Sequence, residues 1–178
     1  KELPVDIVVT DCGSCGSTLQ QYGELLQTEA AAKFSAKIVD ISAFLIENTD
    51  FTKGLLPVDE CVTYHDPCHL KRGMGVSREP RQILKAIPGL IFKEMPEADT
   101  CCGSSGTFSL TNYSLSMRIA DRKIANIAGT ESGVVATGCP ACQMQLRHGF
   151  KRSGRNIRVV HPVEILAQST FGRTAGSE

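Results

Sequence analysis

The spacing of eight cysteines constrains this 178-residue chain more than any other feature. Cys12 and Cys15 form one C-x-x-C unit, and Cys139 and Cys142 form another. Cys68 stands alone, Cys101 and Cys102 are adjacent, and Cys61 lies apart. With 42% apolar residues, a chain of this length can build a core without disulfide staples. Paired and vicinal cysteines then point to metal or cluster ligation, with redox dithiols and structural disulfides as the alternatives.

Between the cysteines, short apolar runs alternate with amphipathic stretches. Strands are predicted over residues 5–10, 36–39, 61–65, 90–94, 133–137 and 157–160. Helices are predicted over 17–33, from a cap at Asp40, from a cap at Ser77 to Ile87, and over 113–128, 140–151 and 162–168. In the helix over 113–128, Met117, Ala120, Ile124, Ile127 and Ala128 form the inner face. Strands alternating with helices give an α/β class, with a mainly parallel sheet flanked by helices.

The start of the chain resembles its end. Val8-Val9-Thr10-Asp11-Cys12-Gly13-Ser14-Cys15 lines up with Val135-Ala136-Thr137-Gly138-Cys139-Pro140-Ala141-Cys142 at an offset of 127. Ile38-Val39-Asp40 lines up with Val159-Val160-His161 at an offset of 121. Such similarity reads as an internal repeat of domain size with a longer linker in the first copy. Residues 1–50 then read as the last part of one repeat, 51–170 as the complete next one, and 171–178 as a tail. The chain does not begin with Met and reads as a processed or excised piece.

Each C-x-x-C falls where a predicted strand gives way to a helix. Free N–H groups and the helix dipole favour thiolate there. Cys68 follows a strand in His65-Asp66-Pro67-Cys68-His69; after 32 intervening residues comes Cys101-Cys102, and after 36 more comes Cys139. In a parallel sheet such loops gather at one edge, where ligands bind. Five thiolates exceed the four that a tetrahedral zinc or a cubane cluster needs. Adjacent cysteines are better placed to serve different irons than to chelate one ion. Gly103, Ser104, Ser105 and Gly106 add a loop of N–H groups suited to cluster sulfurs. His65 and His69 read as capping or hydrogen-bonding residues beside Cys68, with direct ligation as the alternative. Cys61 reads as a small buried residue and His161 as a helix cap.

This constellation resembles the cysteine-rich CCG domain. That domain occurs, usually as two tandem copies, in the B-type subunits of heterodisulfide reductases, in glycolate oxidase iron–sulfur subunits and in lactate-utilisation iron–sulfur proteins. Its pattern maps onto Cys68, Cys101, Cys102, Cys139 and Cys142. The resemblance implies a noncubane four-iron, four-sulfur cluster on those five, with zinc as the alternative occupant. It implies that Cys12 and Cys15 are the last ligands of a preceding copy. It also implies an electron-transfer subunit of an oxidoreductase. The partners would be a flavoprotein dehydrogenase acting on glycolate or lactate and other iron–sulfur subunits. Heterodisulfide-reductase-like catalysis and a zinc-stabilised module are the alternatives. No Ser–His–Asp set, phosphate loop or convincing acid–base pair is evident, so no catalytic residue is assigned.

Lys plus Arg equals Asp plus Glu at 19 each, which argues against a nucleic-acid partner. The basic group of Arg147, His148, Lys151, Arg152, Arg155 and Arg158 reads as solvated surface. No apolar stretch approaches the roughly 20 residues needed to span a bilayer. A cytoplasmic protein, associated with membrane only through partners, is expected.

Overall fold

The computed structural model describes residues 4–172. The chain opens with strand β1 (Val8–Thr10), which pairs in parallel with β2 (Ile38–Asp40). Between them lie three short helices, α1 (Gly13–Gln20), α2 (Tyr22–Leu26) and α3 (Glu29–Ser35). The single helix expected over 17–33 is therefore broken. Gln27 turns left-handed at φ 49°, and the Thr28 hydroxyl caps α3 by accepting the Ala31 N–H. A hydroxyl that can bond the local backbone favours a cap over helix continuation. Helix α1 also starts earlier than expected, because the Cys12 sulfur accepts the Cys15 N–H at its N-terminus. After β2, Asp40 caps α4 (Ile41–Asn48) as expected, its Oδ1 accepting the Ser42 N–H at 2.8 Å.

The main sheet contains β3 (Cys61–Tyr64), β4 (Ile91–Phe92), β5 (Val134–Ala136) and β6 (Arg158–Val160), in the order β4-β3-β5-β6, all parallel. The helices around it are α5 (Arg78–Ala86), α6 (Phe108–Thr111), α7 (Tyr113–Ala128), α8 (Pro140–Arg152) and α9 (Pro162–Phe171). This is the α/β arrangement the sequence predicts. Strand side chains alternate between faces. Val135 and Val159 face one core with Met117, Ala120, Ile124 and Ile127 of α7 and Leu146 and Phe150 of α8. Val62, Tyr64, Val134, Ala136 and Val160 face the other, with Ile83 and Leu84 of α5 and Ile165 and Leu166 of α9. Each large apolar side chain buried this way contributes roughly 1.5–3 kcal/mol.

Several boundaries differ from expectation. The strand expected over 90–94 shrinks to Ile91–Phe92, and that over 5–10 to Val8–Thr10. Both are outermost strands, hydrogen-bonded on one side only among the described residues. Ser77 stands at the N-cap of α5 but makes no side-chain cap; its N–H instead donates to Glu79 Oε2 at 3.1 Å. Ala128 is only half-buried, while Lys123 takes an inner place on α7. A π-helical turn at His69–Gly73 and the short α6 were not expected. Helix α9 runs to Phe171, and residues 173–178 of the expected tail lie outside the described residues. In the basic group, Arg152 pairs with Asp121, Arg158 with Glu60, and Arg147 donates to the Val159 carbonyl. Among the described residues, no helix is long and apolar enough to cross a membrane.

The β1–β2 unit joins the rest through α4, which lies against α5 and α9, and through α1, which lies against the π-helical turn. Its strand register is instructive. Val8 opposes Ile38 and Val9 opposes Val39, while Val135 opposes Val159 and Ala136 opposes Val160. The offsets of 127 and 121 convert one pairing into the other.

Candidate metal centre

Three loops at the C-terminal edge of the main sheet converge on one cavity. The loop after β3 carries Cys68, the loop after β4 carries Cys101 and Cys102, and the turn into α8 carries Cys139 and Cys142. Their side chains line this one cavity together, each sulfur near enough to shift the ionisation of the next: Cys68 and Cys101, Cys101 and Cys102, Cys102 and Cys142, and Cys142 and Cys139. All eight cysteines are free thiols. Cys102, Cys139 and Cys142 are buried, Cys68 is half-buried and Cys101 is exposed, so the cavity opens at one end.

The sulfurs share charge unequally. Hydrogen bonds from Cys102 and Cys68 hold the Cys101 thiol down to about 2. The hydrogen bond from Cys142 holds Cys139 down to about 4. Cys102 is pushed up to about 11, first by its bond to Cys101. Cys68 and Cys142 are pushed further up, first by their hydrogen bonds to Cys101 and Cys102 respectively. Five contiguous thiolates repel, so full ionisation needs a cation among them.

The surroundings favour such a centre. Cys101 Sγ accepts the Gly103 N–H at 3.3 Å. Gly103, Ser105 and Gly106 all have positive φ, and Ser104, Ser105 and Gly106 line the cavity. The Ser116 hydroxyl donates to the Gly103 carbonyl at 2.8 Å, and Gln145 donates to Ser116 at 2.9 Å, fixing the loop from beneath. The Ala98 carbonyl gathers three donors: the Asp66 N–H at 3.0 Å, His65 Nδ1 at 3.1 Å and Lys123 Nζ at 3.2 Å. His65 Nδ1 must carry the proton, because a carbonyl only accepts. Its Nε2 is then a lone pair, buried and without a partner. Burial holds His65 neutral, down to about 3. His65, Cys102 and Cys142 bring ligand atoms within 4.8 Å of one another. Lys123, 1% exposed, has no carboxylate partner among the described residues and also donates to the Glu97 carbonyl. Burial pushes the Lys123 amine below the usual lysine value, with the neighbouring Cys102 sulfur opposing that.

Asp66, just before Pro67 and Cys68, is held by a two-pronged bond to Arg81, with Nη1 and Nη2 at 2.8 Å from its two carboxylate oxygens. This pair orients the Cys68 loop. His69 is exposed, with Nδ1 3.8 Å from Cys68 Sγ and 3.4 Å from Ser14 Oγ. Cys12 and Cys15 form a separate pair. Burial, the main cause, pushes Cys12 up to about 12. The two C-x-x-C turns touch, the Gly13 N–H donating to the Gly138 carbonyl at 3.0 Å. Cys61 stays away from the site, half-buried against Ser132 Oγ at 3.4 Å. His161 caps α9 within a capping box with Glu164.

The family model for the CCG cysteine-rich domain matches residues 62–147. Lactate utilization protein A 1 of Bacillus anthracis is 31% identical over 92% of this chain and 70% of its own length. The chain belongs to the cysteine-rich CCG domain family. The CCG match takes in all five converging cysteines. Two further relatives are the probable glycolate oxidase iron-sulfur subunit of Bacillus subtilis, 40% identical over 97% of this chain, and a subunit of the CoM/CoB fumarate reductase of Methanothermobacter marburgensis, 37% identical over 90%. The chain spans 41% and 32% of their lengths.

Three contributors to this CCG site are not evident from the sequence pattern alone. Lys123 lies three residues after Ala120 and four before Ile127, so helical spacing could have put it on the inner face. Arg81 gives no local signal of its bond to Asp66. Ser14 reaches Cys139 from 125 residues away, at 3.3 Å.

Proposed function

We propose that Cys68, Cys101, Cys102, Cys139 and Cys142 hold a noncubane four-iron, four-sulfur cluster in an electron-transfer component of an oxidoreductase. The observation that carries this is the convergence of five cysteine side chains, the vicinal pair among them, on one cavity. Five soft donors, a backbone N–H on Cys101 and a buried lysine suit an anionic multi-iron centre. When bound, such a cluster takes up and gives out single electrons. The protein's part is to ligate it, to bury Cys102, Cys139 and Cys142, and to aim the Gly103 N–H at Cys101. The opening beside Cys101 gives an electron partner access. The relatives named for glycolate oxidase and lactate utilization support a partner that is a flavin-dependent 2-hydroxy-acid dehydrogenase, with other iron–sulfur subunits. Cytoplasmic residence, with membrane association only through partners, belongs to the same proposal.

The matching strand registers support reading residues 1–50 as the end of a preceding CCG copy and 51–170 as a complete one. Cys12 and Cys15 would be the last two ligands of the first copy's site. β1 is paired on one side only among the described residues, as a strand would be whose outer neighbour belongs to that copy.

One observation favours a second reading. His65 Nε2 with Cys102 and Cys142 could supply three corners of a zinc tetrahedron. Anaerobic reconstitution with iron and sulfide, followed by metal and sulfide analysis and EPR, separates the two. The cluster reading expects about four irons per complete site and their loss in Cys102→Ser. Stoichiometric zinc without sulfide, retained in Cys101→Ser, would favour the zinc module and refute the cluster.

A further inference from the structure

We infer that Ser14, from the N-terminal unit, is a positioning residue that donates a hydrogen bond to Cys139 and so tunes the centre in the neighbouring CCG domain. This deepens the cluster reading and rests on it. Ser14 Oγ lies 3.3 Å from Cys139 Sγ and lines the cavity. A metal-bound cysteine is a thiolate and can only accept, so the hydroxyl proton must point at sulfur. The serine oxygen is then free to accept from His69 Nδ1, 3.4 Å away on its other side. The two side chains make a relay of donors ending on one ligand.

The placement is built into the packing. The Gly13 N–H is tied to the Gly138 carbonyl at 3.0 Å. A side chain at Gly13 would come within 2.8 Å of Leu70 Cβ, so only glycine lets α1 approach this closely. Ser14 and Cys139 belong to the two C-x-x-C turns, yet the bond crosses between them. The residue matching Ser14 in the second turn is Ala141, which also lines the cavity and offers no hydroxyl. The two units are therefore not equivalent. A hydrogen bond to a ligand sulfur offsets negative charge, which favours the reduced state of an iron–sulfur centre.

The test uses the full chain, reconstituted anaerobically, with Ser14→Ala, Ser14→Thr and Ser14→Val alongside the wild type. Iron and sulfide are counted first, and a redox titration is followed by EPR and visible absorption. The expected result is equal iron in all four, a more negative midpoint potential in Ser14→Ala and Ser14→Val, and a near-native potential in Ser14→Thr. Fully loaded Ala and Val variants that titrate with the wild type overturn this inference and leave the cluster reading standing. If Ser14→Ala loses its iron, the isosteric Thr and Val pair decides, and equal potentials there overturn it. A wild-type chain that takes up no iron and sulfide overturns both.

Discussion

Two glycines of the loop after Cys102 separate backbone strain from steric fit. Gly103 has φ 88°, and a Cβ added there would lie 2.4 Å from the Ser116 carbonyl oxygen. That oxygen belongs to the backbone of α7, where Ser116 is fully buried, so it cannot step aside. Gly106 has φ 57°, but a Cβ there would meet nothing within 4 Å. Left-handed backbone costs a residue with a Cβ about 1–2 kcal/mol. Forcing extra volume into a packed site adds about 1–3 kcal/mol. Gly106→Ala should therefore destabilise by about 1–2 kcal/mol, and Gly103→Ala by roughly 2–5. The assay is urea unfolding of the reduced, metal-free chain, read as a change in midpoint at constant slope. Iron uptake supplies a second readout. Gly103→Ala displaces the Cys101–Cys102 pair and should lower it, while Gly106→Ala should leave it near wild type. Equal destabilisation of the two variants would refute the claim that the Ser116 contact, rather than φ alone, demands glycine at 103.

Arg81→Met should destabilise the chain by about 3–5 kcal/mol in the same urea assay, because it strands the Asp66 carboxylate, whose side chain is 2% exposed. Arg81→Lys should recover little, since an ammonium cannot make the two-pronged bond; full rescue by lysine would show that charge alone matters. Asp40→Asn should stabilise at neutral pH by about 1 kcal/mol. Burial raises the Asp40 carboxyl, with Ser42 hydrogen bonds and the charge of His161 opposing it, and its Oδ2 is buried without a partner. The folded state therefore holds this proton more tightly than the unfolded one. The group's stabilising contribution is present below the unfolded value and is lost as pH rises through the folded one. Asparagine keeps the cap and removes that loss. The gap between variant and wild type should shrink as pH falls into the acid range; a gap that widens would reverse the sign assigned to Asp40.

How much of the site could be read in advance depended on whether a signal was local. Cysteine at a strand-to-helix turn is local: Cys12 and Cys139 do begin helices, and Asp40 and His161 do cap them. The inner face of α7 is local too, through Met117, Ala120, Ile124 and Ile127. The break at Gln27 was not legible, because apolar periodicity runs across 17–33 and a single threonine cap is a weaker signal. Helices α2 and α3 pack on one another with Gly23 against Ala32, so the chain folds back there instead of running on.

By itself the sequence determined the donor chemistry, five thiols and a glycine–serine loop, and the alternation that makes a parallel sheet. These follow from residue type and short-range spacing, which act within a turn or a strand. Tertiary structure decided which groups meet across the chain. It brought the five cysteines to one cavity and set His65 beside Cys102 and Cys142. It sank Lys123 behind them and brought Ser14 to Cys139. Such contacts depend on how separate elements pack, and no local pattern encodes the distance between loops that only a folded sheet brings to one edge.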